Sequence, residues 1–119
     1  MNVESEVLHL TPLESAVIEA IAQGHPDSEQ CLREQLRQSQ LASRELNGYG
    51  FFTNLVIPDH LPGCPDLIRT LHASALVDGQ LCGFILWIAA GKIKCLEGYP
   101  LGGDSWPEHE SFQSIILNK

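Results

Sequence analysis

Lysine and arginine are scarce in this chain. They number 7 of 119 residues against 15 aspartates and glutamates, for a formal charge of −8. Phosphate backbones are gripped by clustered basic side chains, so this shortage excludes a generic nucleic-acid binder. Long hydrophobic runs are missing as well. The longest, Phe84 to Ala90, falls far short of the ~20 residues that a membrane-spanning helix needs. The opening residues, Met1-Asn2-Val3-Glu4-Ser5-Glu6, have no basic stretch leading into an apolar one, so no signal peptide is expected. The four cysteines, Cys31, Cys64, Cys82 and Cys95, include no C-x-x-C pair, and no histidine cluster accompanies them. No metal site is therefore expected, and the cysteines read as reduced thiols of a cytoplasmic protein. A G-x-S-x-G elbow, a phosphate-binding loop and a dinucleotide glycine fingerprint are all absent. No cofactor is expected, and the chain leans away from being an enzyme.

What is present suits a folded domain. Apolar residues make up 44% and charged residues 18%. A chain of this length folding as one domain over 1–119 buries roughly two-thirds of the surface it exposes when unfolded. Thr11-Pro12-Leu13-Glu14 is a capping box with proline at the first helical position, and Leu13, Val17, Ile18 and Ile21 follow at helical spacing. Gly24 supplies the expected left-handed stop. A second helix is predicted from Asp27-Ser28, with Cys31, Leu32, Leu36 and Leu41 as a thin apolar stripe and three glutamines and Ser39 as solvated surface. Residues 1–42 thus read as a helical hairpin.

Beyond it the period changes. Asn47-Gly48, Asp78-Gly79 and Ala90-Gly91 are two-residue hairpin signals, since such turns need positive φ at both positions. They predict strands over 42–47, 49–57, 69–77, 80–89 and 92–98, with a last one over 112–117. Loops over 58–66 and 99–110 carry five of the seven prolines, with Gly63, Gly102 and Gly103. The expected fold class is α+β: two N-terminal helices on one face of an antiparallel meander of five to six strands, the sheet occupying 43–119.

Turn positions set the register, and register sets the faces. Two-residue turns place Leu71, Ala73, Ala75, Val77, Cys82, Phe84, Leu86, Ile88, Ile93 and Cys95 on a face that packs against the helices, with Phe84 opposite Glu97. The other face takes Thr70, His72, Ser74, Leu76, Leu81, Ile85, Trp87, Lys94 and Leu96. Leu76, Leu81, Ile85, Trp87 and Leu96 form an apolar patch there, and contiguous patches centred on tryptophan often mark interfaces. Alternatively the loops at 58–68 or 99–110, the latter with Trp106, fold over it.

Ser43-Arg44-Glu45-Leu46-Asn47-Gly48-Tyr49-Gly50-Phe51-Phe52-Thr53, then Gly83-Phe84-Ile85-Leu86-Trp87, Leu96-Glu97-Gly98-Tyr99, Gly103 and Trp106-Pro107, make a connected set. It resembles a group of small, largely uncharacterised bacterial proteins that share an S-R-E-x-x-G-x-G-F-F-T segment and an L-E-G-Y…W-P ending. Some of these are similar to immunity proteins that neutralise a toxin domain. The match spans about residues 43–107, and Gly102-Gly103-Asp104 departs from the usual pattern in that loop. The resemblance implies the fold more than any activity.

Among ionisable residues Glu97 stands out, because the register puts it on the core face. A buried carboxylate needs a charge partner or backbone donors, and Arg44 is the expected partner in a structural ion pair or pocket. The five histidines, His9, His25, His60, His72 and His109, are scattered. Cys64, between Gly63 and Pro65, is expected to be the exposed thiol. The acidic residues gather at Glu4, Glu6, Glu14 and Glu19 and again at Asp104, Glu108 and Glu110, which serves solubility or steers a basic partner. Two functions fit. One is a non-catalytic module that binds a protein partner or a second copy through Leu76, Leu81, Ile85, Trp87, Leu96 and Trp106. The other is a small-molecule-binding domain or small enzyme, with a pocket near Glu97 lined by Arg44 and His72 or Tyr99.

Overall fold

The computed structural model describes residues 9–65, 67, 69–102 and 105–118; Glu4, Glu6, Gly103 and Asp104 lie outside them. Helix α1 (Pro12–Gln23) opens on the capping box: the Thr11 hydroxyl accepts from the Glu14 N–H at 3.1 Å, and the Glu14 carboxylate accepts from the Thr11 N–H at 2.8 Å. Leu13, Val17, Ile18 and Ile21 are buried along one stripe. Gly24 ends the helix in a right-handed conformation, with φ −79°, not a left-handed one. A Cβ there would meet the end of the Leu117 side chain, which would have to move aside. Helix α2 (Glu29–Gln38) follows, with Leu32 and Gln35 buried.

The strands are β1 (Gln40–Leu46), β2 (Phe51–Val56), β3 (Thr70–Val77), β4 (Gln80–Ala89), β5 (Lys92–Pro100) and β6 (Phe112–Asn118). They form one antiparallel sheet with α1 packed on β3 and β6 and α2 on β5. This is the expected α+β class with N-terminal helices on one face. The strand order is β1-β2-β5-β4-β3-β6, so only the β3-β4-β5 section runs as a meander. The long, proline-containing segment between β2 and β3 is no tight hairpin, which frees β3 to begin three positions along the sheet from β2 and lets β5 return beside β2. The molecule measures 44 × 38 × 20 Å, and its thin axis is one helix layer on one sheet.

Asp78 and Gly79 have φ of 51° and 79°, and Ala90 and Gly91 have 53° and 76°, as mirror-image hairpin turns require. The β3–β4 register is the expected one, with Val77 opposite Gln80, Ala75 opposite Cys82 and Ala73 opposite Phe84. The β4–β5 register begins as expected at Ile88–Ile93 and then slips: Trp87 pairs with Cys95, leaving Lys94 as the extra residue of a β-bulge. One inserted residue flips everything beyond it. Leu96 pairs with Leu86 and is wholly buried on the helix side, contrary to the outward placement expected of it. Cys95 and Glu97 move to the outward face, and Phe84 meets Gly98 in place of Glu97. The first hairpin also differs. Leu46 pairs with Phe51, so the loop is Asn47–Gly50, held by the Asn47 Oδ1, which accepts from the Tyr49 and Gly50 N–H groups at 2.9 and 2.7 Å.

Trp106 is not on the outward face either. Its ring stands edge-on to Phe51 and Phe84, with centroids 4.9 and 5.9 Å apart, and so closes the helix-side core. The 58–65 loop lies on that side too. Cys64 is buried and disulfide-bonded to Cys31, with Cα atoms 5.8 Å apart, so neither is the free thiol expected from the sequence. Among the described residues, no helix is long and apolar enough to cross a membrane.

Candidate functional site

The outward sheet face is built from cross-strand rows. Phe52, Glu97, Ile85 and His72 form one row, and Asn54, Cys95, Trp87 and Thr70 the next. On the other side lie Tyr99, Gly83, Ser74 and Ile116, then Leu81, Leu76 and Gln113. A one-sided antiparallel sheet usually turns polar residues to water. Here Val56, Leu81, Trp87 and Ile116 are 52%, 47%, 38% and 58% exposed, with Phe52, Leu76, Ile85 and Tyr99 half-buried between them. The Tyr99 ring lies across Gly83, where a Cβ would stand 2.5 Å from the ring. A glycine on one strand thus seats an aromatic from its neighbour.

Of the residues singled out in the sequence, Leu76, Leu81, Ile85 and Trp87 share this face, while Leu96 and Trp106 belong to the opposite side. Arg44 and Glu97 do not pair. Glu97 instead accepts a hydrogen bond from the Trp87 indole at 3.0 Å, and no described Lys or Arg forms an ion pair with it. Beside it, Asn47, Tyr49, Phe52, Ile85 and Tyr99 bound an open cavity of about 280 Å³. His72 is separated from Glu97 by Ile85 and contacts the Thr70 hydroxyl at 3.1 Å. Burial pushes the Cys95 thiol up, the Glu97 and Glu45 carboxylates push it further, and Lys94 opposes them.

The burial of Glu14 and Gln35, and what they hold, was not expected from the sequence. Glu14 is 3% exposed, and besides its cap it accepts from Arg44 Nη2 at 2.7 Å, Arg44 Nε at 3.0 Å and the Thr53 hydroxyl at 2.6 Å. Gln35 is not solvated surface but 1% exposed. Its Nε2 donates to the carbonyls of Pro62 and Gly91 at 3.2 and 3.1 Å, and its Oε1 accepts from the Ile93 N–H at 2.9 Å. The signal was spacing: Glu14 precedes Ile18 and Ile21 by four and seven positions, and Gln35 follows Leu32 by three. Both are fully engaged in tying elements together.

Among the described residues, no three His, Cys, Asp or Glu side chains come together as a metal site. Set against models of known families, curated proteins and solved structures, the chain matches none of them.

Proposed function

We propose that this chain is a non-catalytic binding module whose outward sheet face docks a protein partner. The observation that carries the reading is the Trp87-centred apolar face of a six-stranded sheet, which no other described residues cover. Six strands ~4.8 Å apart and about seven residues long at ~3.3 Å each span roughly 650 Å², near the ~800 Å² per partner of a standard interface. The open cavity at Glu97 gathers no acid–base pair or nucleophile among the described residues. Following the resemblance in 43–107, the partner is a basic protein such as a toxin domain, and the role immunity-like. The Cys31–Cys64 link lies on the helix side, away from the docking face, and it removes the reduced-thiol argument for a cytoplasmic site, since such links are rare in that compartment.

The test combines light scattering with capture from the native cytosol, comparing wild type with Leu81→Glu and Trp87→Glu. A partner retained by wild type and lost in both variants, with wild type monomeric alone, is the expected result. A wild-type dimer dissociated by both variants assigns the face to a second copy. Capture unchanged in both folded variants removes the face from the reading.

A further inference from the structure

We propose that the Glu97 cavity is a cation slot, which receives an arginine or lysine side chain of the docked protein; this rests on the docking reading above. The Glu97 carboxylate is held in place on one side only. Its Oε1 takes the Trp87 indole N–H at 3.0 Å, and its Oε2 has no hydrogen-bond partner among the described residues. No described guanidinium or ammonium neutralises it. A carboxylate fixed by a tryptophan and left short of a cation is half of a charge-assisted pair.

The walls favour the same occupant. Tyr49, Phe52 and Tyr99 border the cavity, and aromatic faces carry the negative lobe of a quadrupole that attracts cations. An anion would be repelled by the Glu97 carboxylate, and the carboxylates on this chain outnumber its basic groups. A neutral apolar group would strip water from Glu97 without replacing it. At about 280 Å³ the open cavity has room for the end of one such side chain. The surroundings bias the encounter as well: Glu45 lies one strand beyond Phe52, and the chain carries −8 overall. The slot also joins the apolar face directly, because Trp87 both anchors Glu97 and centres the patch.

The probe is acetyl-Gly-Arg-Gly-amide, with acetyl-Gly-citrulline-Gly-amide as its neutral isostere. The readout is the indole N–H signal of Trp87 in heteronuclear NMR, resolved from that of Trp106. Glu97→Gln keeps an acceptor for the indole, and Tyr49→Ala alters an exposed loop residue, so both are expected to fold. The expected result is saturable binding of the arginine peptide to wild type, at least about tenfold weaker for the citrulline peptide and for Glu97→Gln, and severalfold weaker for Tyr49→Ala. Equal shifts by the two peptides, or unchanged arginine binding in Glu97→Gln, overturn the slot. The two readings fail separately. Unchanged partner capture in Leu81→Glu counts against the face, and unchanged arginine binding in Glu97→Gln counts against the slot alone.

Discussion

Arg44 on β1 closes on Glu14 in the first turn of α1, with Nη2 and Nε at 2.7 and 3.0 Å from the two carboxylate oxygens. One carboxylate thereby caps a helix, clamps a strand across 30 residues of chain and accepts the Thr53 hydroxyl from the neighbouring strand. Glu14 is 3% exposed, so it cannot turn to water if the guanidinium is removed.

Arg44→Met is therefore expected to cost roughly 3 kcal/mol, at the lower end for breaking a buried pair because Thr11 and Thr53 still donate. Urea unfolding of the variant measures this. A loss within about 0.5 kcal/mol, the range of ordinary surface changes, contradicts it.

Gln35 performs a similar task between α2, the 58–65 loop and the turn into β5. Gln35→Leu keeps the volume but leaves the Ile93 N–H and the Pro62 carbonyl without that partner. A loss of about 2 kcal/mol or more is expected. Gln35→Glu is expected to be worse, since it turns an oxygen toward two carbonyls. Thermal melts of the two variants check the order, and equal melting temperatures for both and wild type would refute it.

The cysteines can be counted. Native protein treated with iodoacetamide at neutral pH is expected to take up no label, because Cys82 and Cys95 are buried and Cys31 is joined to Cys64. Unfolding without reductant exposes the two free thiols, and unfolding with dithiothreitol exposes all four. Mass spectrometry reads each step, and four labels without reductant would refute the cross-link. Burial, with Glu110 adding, pushes Cys82 from 9.0 up to about 11. A raised thiol favours the folded state fully below pH 9, and that contribution is lost as the pH climbs through 11. A stability curve flat between pH 9 and 11 would contradict this.

Much of the architecture was legible because local chemistry set it. The Thr11–Glu14 box, the turn at Asp78-Gly79 and the alternation along β3 and β4 each specify geometry within a few residues. The site was half legible for the same reason: Leu76, Leu81, Ile85 and Trp87 sit on strands whose register that turn controls. The rest depended on a single inserted residue. No local signal marks Lys94 as a bulge, yet it exchanges the faces of Leu96 and Glu97. The Arg44 partner was misplaced because both carboxylates are plausible on charge, and only the tertiary path brings β1 beside α1. The strand order was hidden because pairing of β2 with β5 is a nonlocal choice. Cys31 and Cys64 looked unrelated since nothing in their spacing brings the loop onto α2.

The most direct measurement places a photo-crosslinking amino acid at position 81, on the outward face, or at position 23, on the exposed surface of α1, in the full chain within its native cells. A discrete adduct with one basic protein is expected from position 81, absent from position 23 and abolished when position 81 is combined with Trp87→Glu. Adducts of equal yield from both positions, or none from position 81 in folded protein, would contradict docking at the sheet face.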